Sequence, residues 1–161
     1  MSMRTRAVLA LTLALAFAGA FSARAQRGRG DRRNRFAVDS STLASIKGLE
    51  CSFSVGTTAR WDNGVATAQT ATQADGGRVS IRQIDAQDGT AHIFGGFARG
   101  QDVNVRLGGS NLHFLDVGTD GGLGVITVFA AETRDGRLQA VYSRAGYPQA
   151  AQYYGECTAD R

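Results

Sequence analysis

Six turn dipeptides divide this chain into short segments and limit its fold more than any other feature of the sequence. In each, Gly follows Asn, Asp or Gly, residues that reach the positive φ angles of tight turns at low energetic cost. The segments between them are short and rich in Val, Ile, Thr and aromatic residues, as β-strands are. The dipeptides are Asn63-Gly64, Asp75-Gly76, Asp88-Gly89, Gly108-Gly109, Asp120-Gly121 and Asp135-Gly136. They predict an all-β domain built from hairpins.

Several of the segments alternate apolar and polar residues, as a strand with one buried face must. Val103, Val105 and Leu107, for example, share one face of a strand while polar residues occupy the other. The same alternation recurs near residue 51 and near residue 138. The pattern predicts strands at 51–60, 65–71, 78–85, 90–95, 102–107, 111–117, 123–130, 137–144 and 152–158.

The loops between these segments are too short to hold crossover helices, so consecutive strands are expected to pair antiparallel. Such a meander closes into a small up-and-down β-barrel of about eight strands, or it folds as a β-sandwich. In strand number and closure, the barrel resembles the lipocalin and avidin group of small barrels, although it does not share their sequence motifs. We expect the barrel, with the sandwich as the alternative.

The two cysteines, Cys51 and Cys157, lie in the first and last predicted strands. A disulfide between them would close a loop of roughly 100 residues and stabilise the fold by about 4 to 5 kcal/mol in the chain-entropy model. A zinc site would need further Cys or His ligands at short spacing, and a redox pair is normally Cys-x-x-Cys. We therefore expect a structural disulfide. It favours the barrel, because barrel closure places the first and last strands side by side.

A short helix is predicted at 40–47, ahead of the strands. A serine at its start can cap the first turn, Leu43 and Ile46 form one apolar stripe, and Gly48 ends it. We expect this helix to plug one mouth of the β-domain. The domain is expected to span 40–161 as a single unit.

The first 25 residues have the composition of an export signal. Two arginines precede an apolar run over 7–21, and Ala23-Arg24-Ala25 has the small-x-small pattern that signal peptidase cleaves. An uncleaved membrane anchor is the alternative, but a span needs about 20 apolar residues and this run is shorter. We expect cleavage after residue 25, no stable membrane insertion afterwards, and a periplasmic or extracellular protein.

The net positive charge of the chain comes from residues outside the predicted domain. The full sequence has a net charge of +4, but the predicted signal peptide holds three Arg and no acidic residue. Residues 26–35 carry five Arg against one Asp, which leaves 36–161 with ten basic and thirteen acidic residues. This distribution argues against nucleic-acid binding, which needs clustered cations on the folded surface. The segment 26–39 is expected to be a disordered Arg-rich linker.

No residue pattern of catalysis or metal binding is present in the sequence. His92 and His113 are its only histidines, and Asp116, three residues after the second, falls on the opposite face of a strand. A metal needs three or four convergent ligands. We therefore predict no metal, no cofactor and no enzymatic activity; the alternative is a small enzyme that uses His113 or Glu132.

The aromatic residues suggest a ligand pocket, with Trp61, Phe53, Phe114 and Tyr142 as candidate lining residues. Trp61 lies beside Asn63-Gly64, at a predicted barrel mouth. The alternative is that these rings only fill the core. The sequence therefore predicts a non-enzymatic binding protein for a small apolar or amphipathic ligand. An envelope structural or protein-interaction module without a ligand is the second hypothesis, and the sequence names no protein partner.

Overall fold

Nine strands and one short helix make up the part of the chain that the computed structural model describes, residues 40–72, 77–95, 98–119 and 121–160. The predicted signal peptide, 1–25, and the predicted linker, 26–39, lie outside the described residues. Most of this segment precedes the compact unit Phe36–Arg161. The elements are α1 (Ser40–Ala44), β1 (Gly48–Asp62), β2 (Val65–Thr72), β3 (Arg78–Asp85), β4 (Thr90–Gly95), β5 (Ala98–Gly108), β6 (Asn111–Val117), β7 (Leu123–Glu132), β8 (Leu138–Gly146) and β9 (Gln149–Asp160).

Eight of the strands close into an antiparallel barrel. From β3 to β9 each strand pairs with the next, and β1 completes the ring by pairing with β3 on one side and β9 on the other. Within the described residues, β2 pairs with β1 alone and is therefore an additional strand. The predicted all-β barrel is confirmed, and the sandwich alternative is excluded.

β1 is long enough to pair with two different strands along the same edge. Its residues 49–52 pair with 78–81 of β3, and its residues 55–62 pair with 65–72 of β2. All nine predicted strand segments are present as strands. The sequence pattern does not reveal that the second of them stays outside the ring.

The helix α1 ends at Ala44, three residues before its predicted end. The backbone N–H groups of the next two residues donate to carbonyl oxygens three residues earlier, at 3.3 Å each, so the chain tightens as it turns toward β1. Leu43 and Ile46 are nevertheless buried in the core, and the carbonyl oxygen of Lys47 accepts the N–H of Ile84 at 3.1 Å. The helical segment thus closes the barrel where β1 begins, at what we call the plug end.

Inward-facing side chains of the strands form one apolar core. In β6, Leu112 and Phe114 are buried while the residues between and beside them are partly exposed, as the alternation of a strand requires. Full burial of such a side chain contributes about 1.5–3 kcal/mol relative to leaving it exposed. The largest fully buried side chains include Phe53, Phe114, Leu43, Leu49, Ile81, Ile84 and Leu112.

The seam between β1 and β9 closes the barrel along almost the whole length of both strands. Residues 48–60 pair with residues 149–160. The predicted disulfide joins Cys51 to Cys157, which lie directly opposite each other with their Cα atoms 4.0 Å apart. Both cysteines are buried in the core. The expected disulfide and the expected side-by-side position of the first and last strands are confirmed.

Ion pairs on the outer surface lie at the same end as the disulfide. The guanidinium of Arg82 bonds to the carboxylates of Glu50 and Asp160, and that of Arg137 bonds to Glu156. These side chains are substantially exposed, so each pair contributes at most about 1 kcal/mol. Their main effect is to place the paired charges of the outer surface near the plug end.

Two glycines allow β1 and β9 to approach each other at a bulge in the seam, where the register shifts between Phe53 and Val55. A Cβ atom on Gly155 would lie 2.1 Å from the carbonyl oxygen of Ser52. One on Gly56 would lie 2.3 Å from a backbone oxygen of β9. Any side chain at either position would force the two backbones apart.

We expect Gly155→Ala to lower the free energy of unfolding by about 1–3 kcal/mol, the usual cost of an overpacked site. Gly146→Ala is the matched control, because its added Cβ would meet its nearest neighbour at 3.5 Å, an ordinary contact distance. Urea denaturation of both variants measures the difference. Equal stability of the two variants would contradict the close approach at the seam.

We expect replacement of both cysteines, Cys51→Ser with Cys157→Ser, to lower the free energy of unfolding by about 2–5 kcal/mol without changing the fold. The loss follows from the greater freedom of the unfolded chain, since the two residues lie 106 apart in the sequence. Chemical denaturation gives the stability and far-ultraviolet circular dichroism gives the strand content. A double variant as stable as the oxidised protein would refute the prediction.

Candidate functional site

Each end of the barrel holds a cavity among the described residues, and the two cavities differ in charge. The cavity at the plug end, of about 700 Å³, has Glu132 as its charged lining residue, whereas Arg144 lines the cavity at the opposite end. The turns at 63–64, 121–122 and 147–148 lie at this opposite end, which we call the open end. The described residues leave a cavity of about 510 Å³ at this end. Its lining includes Thr58, Gln69, Thr70, Ala71, Arg144, Tyr147, Pro148, Gln149, Ala151 and Tyr153.

The bulge in the seam orients the β1 side of this cavity. After the register shift at 53–55, Gly56 and Thr58 are buried while Thr57 between them is exposed. Thr58 is the one buried polar side chain among the described residues, at 8% exposure. It therefore belongs to the wall of the cavity and is largely shielded from bulk water.

Arg144 of β8 is the positively charged residue in the lining of the 510 Å³ cavity. It follows Leu138, Ala140 and Tyr142 at the two-residue spacing of one strand face, and those three side chains are buried. Arg144 lines the 510 Å³ cavity and also a neighbouring one of about 680 Å³, which includes Asp116 and Tyr142. The inner face of β8 thus changes from apolar to cationic at the mouth.

The pKa of Tyr142 reflects its burial and the charges around it. Burial raises the pKa of its phenol; the positive charge of Arg144 opposes this rise, and the negative charges of Asp116 and of ionised Tyr153 add to it. The neutral phenol is therefore favoured at physiological pH. It can donate or accept a hydrogen bond beside a cation and a carboxylate.

Below the mouth, aromatic rings fill the interior of the barrel. The ring centroids of Phe53 and Tyr142 lie 5.8 Å apart, and those of Tyr142 and Tyr153 lie 6.2 Å apart. Between Phe114, Tyr142 and their neighbours remains a space of only about 20 Å³. This is close to the space of one water molecule. A ligand at this end would therefore rest on the aromatic rings rather than enter the barrel.

Three of the four predicted ligand-binding residues lie together in the interior. Phe53 and Phe114 are fully buried, and Tyr142 contacts the first and lines the small space beside the second. Trp61 lies apart from them: it is 57% exposed and three residues beyond inward-facing Thr58, on the outer face of β1. Its backbone N–H donates to the carbonyl oxygen of Pro148 at 2.9 Å.

The sequence reasoning missed Thr58, Arg144 and Tyr153 as lining residues. Arg144 could have been found, because it is a charged residue in phase with an apolar strand face. Tyr153 could have been found in the same way from the alternation of β9, in which Tyr153 and Cys157 are buried. Thr58 could not, since its inward position depends on a bulge that leaves no mark in the residue pattern.

The two histidines form local pairs on the barrel wall. Nδ1 of His92 lies 2.7 Å from Oδ1 of Asp102 on the neighbouring strand, and Nδ1 of His113 lies 3.0 Å from Oγ1 of Thr127. In the described ranges, no three His, Cys, Asp or Glu residues converge as metal ligands would. The same ranges contain no helix of the length and apolarity that a membrane span requires.

Comparisons of this chain with protein-family models, curated proteins and solved structures gave no match. The functional argument therefore depends on the geometry of the open end.

We expect the phenol of Tyr142 to ionise above the ordinary tyrosine pKa of about 10. Because the unfolded chain releases this proton first, the contribution of Tyr142 to stability is fully present below that pKa and is lost as the pH rises through the higher value of the folded state. The difference in phenolate absorbance between the parent protein and Tyr142→Phe isolates this group. A difference curve with its midpoint at or below the ordinary value would show that the site is not buried.

Proposed function

We propose that this protein is an exported, non-enzymatic binding protein that takes a small amphipathic ligand at the open end of the barrel. One observation carries the proposal. Among the described residues, the cavity of about 700 Å³ at the plug end lies against Leu43 and Ile46 and has no cation in its lining, whereas the 510 Å³ cavity at the open end combines Arg144 with polar and apolar walls. Cavities of this size and mixed character are typical of small-molecule sites.

The lining supports an amphipathic ligand over a purely apolar one. Arg144, Gln149 and Thr58 offer hydrogen-bond donors, and Ala71, Ala151 and the ring of Tyr153 offer apolar surface. We place the anionic or polar group of the ligand toward Arg144, because hydrogen bonds to a charged partner are stronger than those between neutral groups.

The filled interior supports a short ligand. A long acyl chain needs a deep apolar channel, and the interior space beside Phe114 and Tyr142 is only about 20 Å³. The ligand of this proposal is therefore a compact molecule that covers the mouth. A long lipid threaded through the barrel is not compatible with it.

The disulfide supports a non-reducing compartment as the place of action. Together with the predicted signal peptide at 1–25, it agrees with a periplasmic or extracellular protein. Purification from that compartment under native conditions, followed by native mass spectrometry, is the first test. A discrete added mass that is lost on unfolding supports the proposal.

Octanoate and 1-octanol form a matched pair of probes, with one apolar chain and either an anionic or a neutral head group. We expect Arg144→Ala to weaken octanoate binding about tenfold, the equivalent of a charged hydrogen bond of about 1.4 kcal/mol, and to change octanol binding little. Isothermal titration calorimetry measures both.

The control for this experiment is Arg134→Ala, which removes an equal charge from the exposed turn at the plug end. We expect it to leave the binding of both probes unchanged. Equal effects of the two arginine variants would indicate a general charge effect. The absence of both a copurifying ligand and any probe binding would refute the proposed function.

A further inference from the structure

The outer edge of β2 is a second feature with chemical consequences. The same strand lines the open-end cavity through Gln69, Thr70 and Ala71, but its outer edge faces away from β1. Within the described residues, β2 has β1 as its neighbour on one side and no strand on the other. Every residue from Val65 to Thr70 is exposed. A strand in this position presents backbone N–H and C=O groups that can pair with a further strand.

β2 lacks the features by which edge strands usually avoid such pairing. Its sequence, VATAQTAT, has no charged residue and no proline. Its register with β1 runs without a shift from Val65 to Thr72, so no bulge twists the edge away. Edge strands of soluble proteins are normally protected by charges, prolines, bulges or a covering segment.

We infer that β2 pairs antiparallel with β2 of a second copy of this chain, about a two-fold axis near Ala68. Ala68 is one of the two central residues of β2, and a two-fold axis there places Ala68 opposite itself. It also places Thr67 opposite Gln69 of the second copy, and Ala66 opposite Thr70. Each strand supplies the donors and acceptors that the other needs, because a two-fold pair of antiparallel edges is self-complementary.

Charge also favours a second copy as the occupant. All side chains that meet across this pairing are uncharged, so no like charges oppose each other. The nearest charged residues in register, Arg60 and Asp62, belong to β1 and lie one strand away from the edge. The ion pairs of the outer surface, such as Arg137 with Glu156, lie toward the plug end.

The rows of residues next to this edge are also uncharged. Ala68 lies in register with Ala59 of β1, which is in register with Ala150 of β9 and then Ala145 of β8. The next row, Thr70, Thr57, Gln152 and Ser143, is also uncharged. The strands next to the pairing therefore add no like-charge repulsion along these two rows.

The extent of the contact sets the strength of the dimer. A single pair of eight-residue strands buries less than the ~1,200 Å² at which standard stable interfaces begin. We therefore expect a weak dimer that forms with rising protein concentration and dissociates on dilution.

Sedimentation velocity over a dilution series of the full mature chain tests the pairing. The parent protein is expected to show a monomer–dimer equilibrium. Ala68→Lys places two positive charges opposite each other at the axis, and we expect it to raise the dimer dissociation constant at least about tenfold. Position 68 is exposed, and an unchanged circular dichroism spectrum verifies the fold. Ala66→Lys is the second edge variant if Ala68→Lys unfolds.

Gln152→Lys is the matched control, since it adds the same charge on an exposed position two strands away from the edge. We expect it to change the dissociation constant less than twofold. A dimer that is lost in Gln152→Lys but kept in Ala68→Lys would show that the sheet faces stack, which overturns the inference. A monomer at every concentration would also overturn it. Neither result by itself refutes octanoate binding at the open end, which isothermal titration calorimetry measures separately.

Discussion

Backbone pairing between β1 and β9 is the constraint on which the rest of the structure depends. It converts a meander of hairpins into a closed barrel, so that each of the eight ring strands has a neighbour on both sides. It also places Cys51 directly opposite Cys157 and buries the bond between them. The close contact at Gly155 and Gly56 shows how near the two backbones lie at the bulge. Without this seam, neither the closed core nor the cavity at the open end would exist.

The length of β1 explains both proposals. β1 has 15 residues, and only those near its start pair with β3. Its residues 55–62 extend beyond the end of β3. The extra length pairs with β2 and β9, and these three strands form the wall of the cavity near Thr58 and Tyr153. It also leaves the far edge of β2 without a strand neighbour among the described residues. The mouth and the edge are thus two results of one long strand.

Much of the fold could be predicted from residue patterns, because turns, alternation and cysteine pairing are local or nearly local signals. The position of β2 could not, since the β-branched residues of VATAQTAT and the turn before it predict a strand without showing which strands it pairs with. The role of Trp61 was also beyond the pattern: its closeness to the Asn63-Gly64 turn places it near the mouth, but the bulge decides which face it occupies. Arg144 was predictable in part. The alternation of β8 shows that it shares a face with buried residues, but the sequence does not show that it lies at the barrel mouth.

Hydrogen–deuterium exchange of individual amides tests the closed seam most directly, at a concentration low enough to keep the chain monomeric. If β1 and β9 join as described, the amides within the paired regions 48–60 and 149–160 exchange only through global unfolding, as those of central strands do. The outward amides of β2 exchange much faster. Exchange in β9 as fast as in β2 would show that the sheet is open at this seam, and it would contradict the closed barrel.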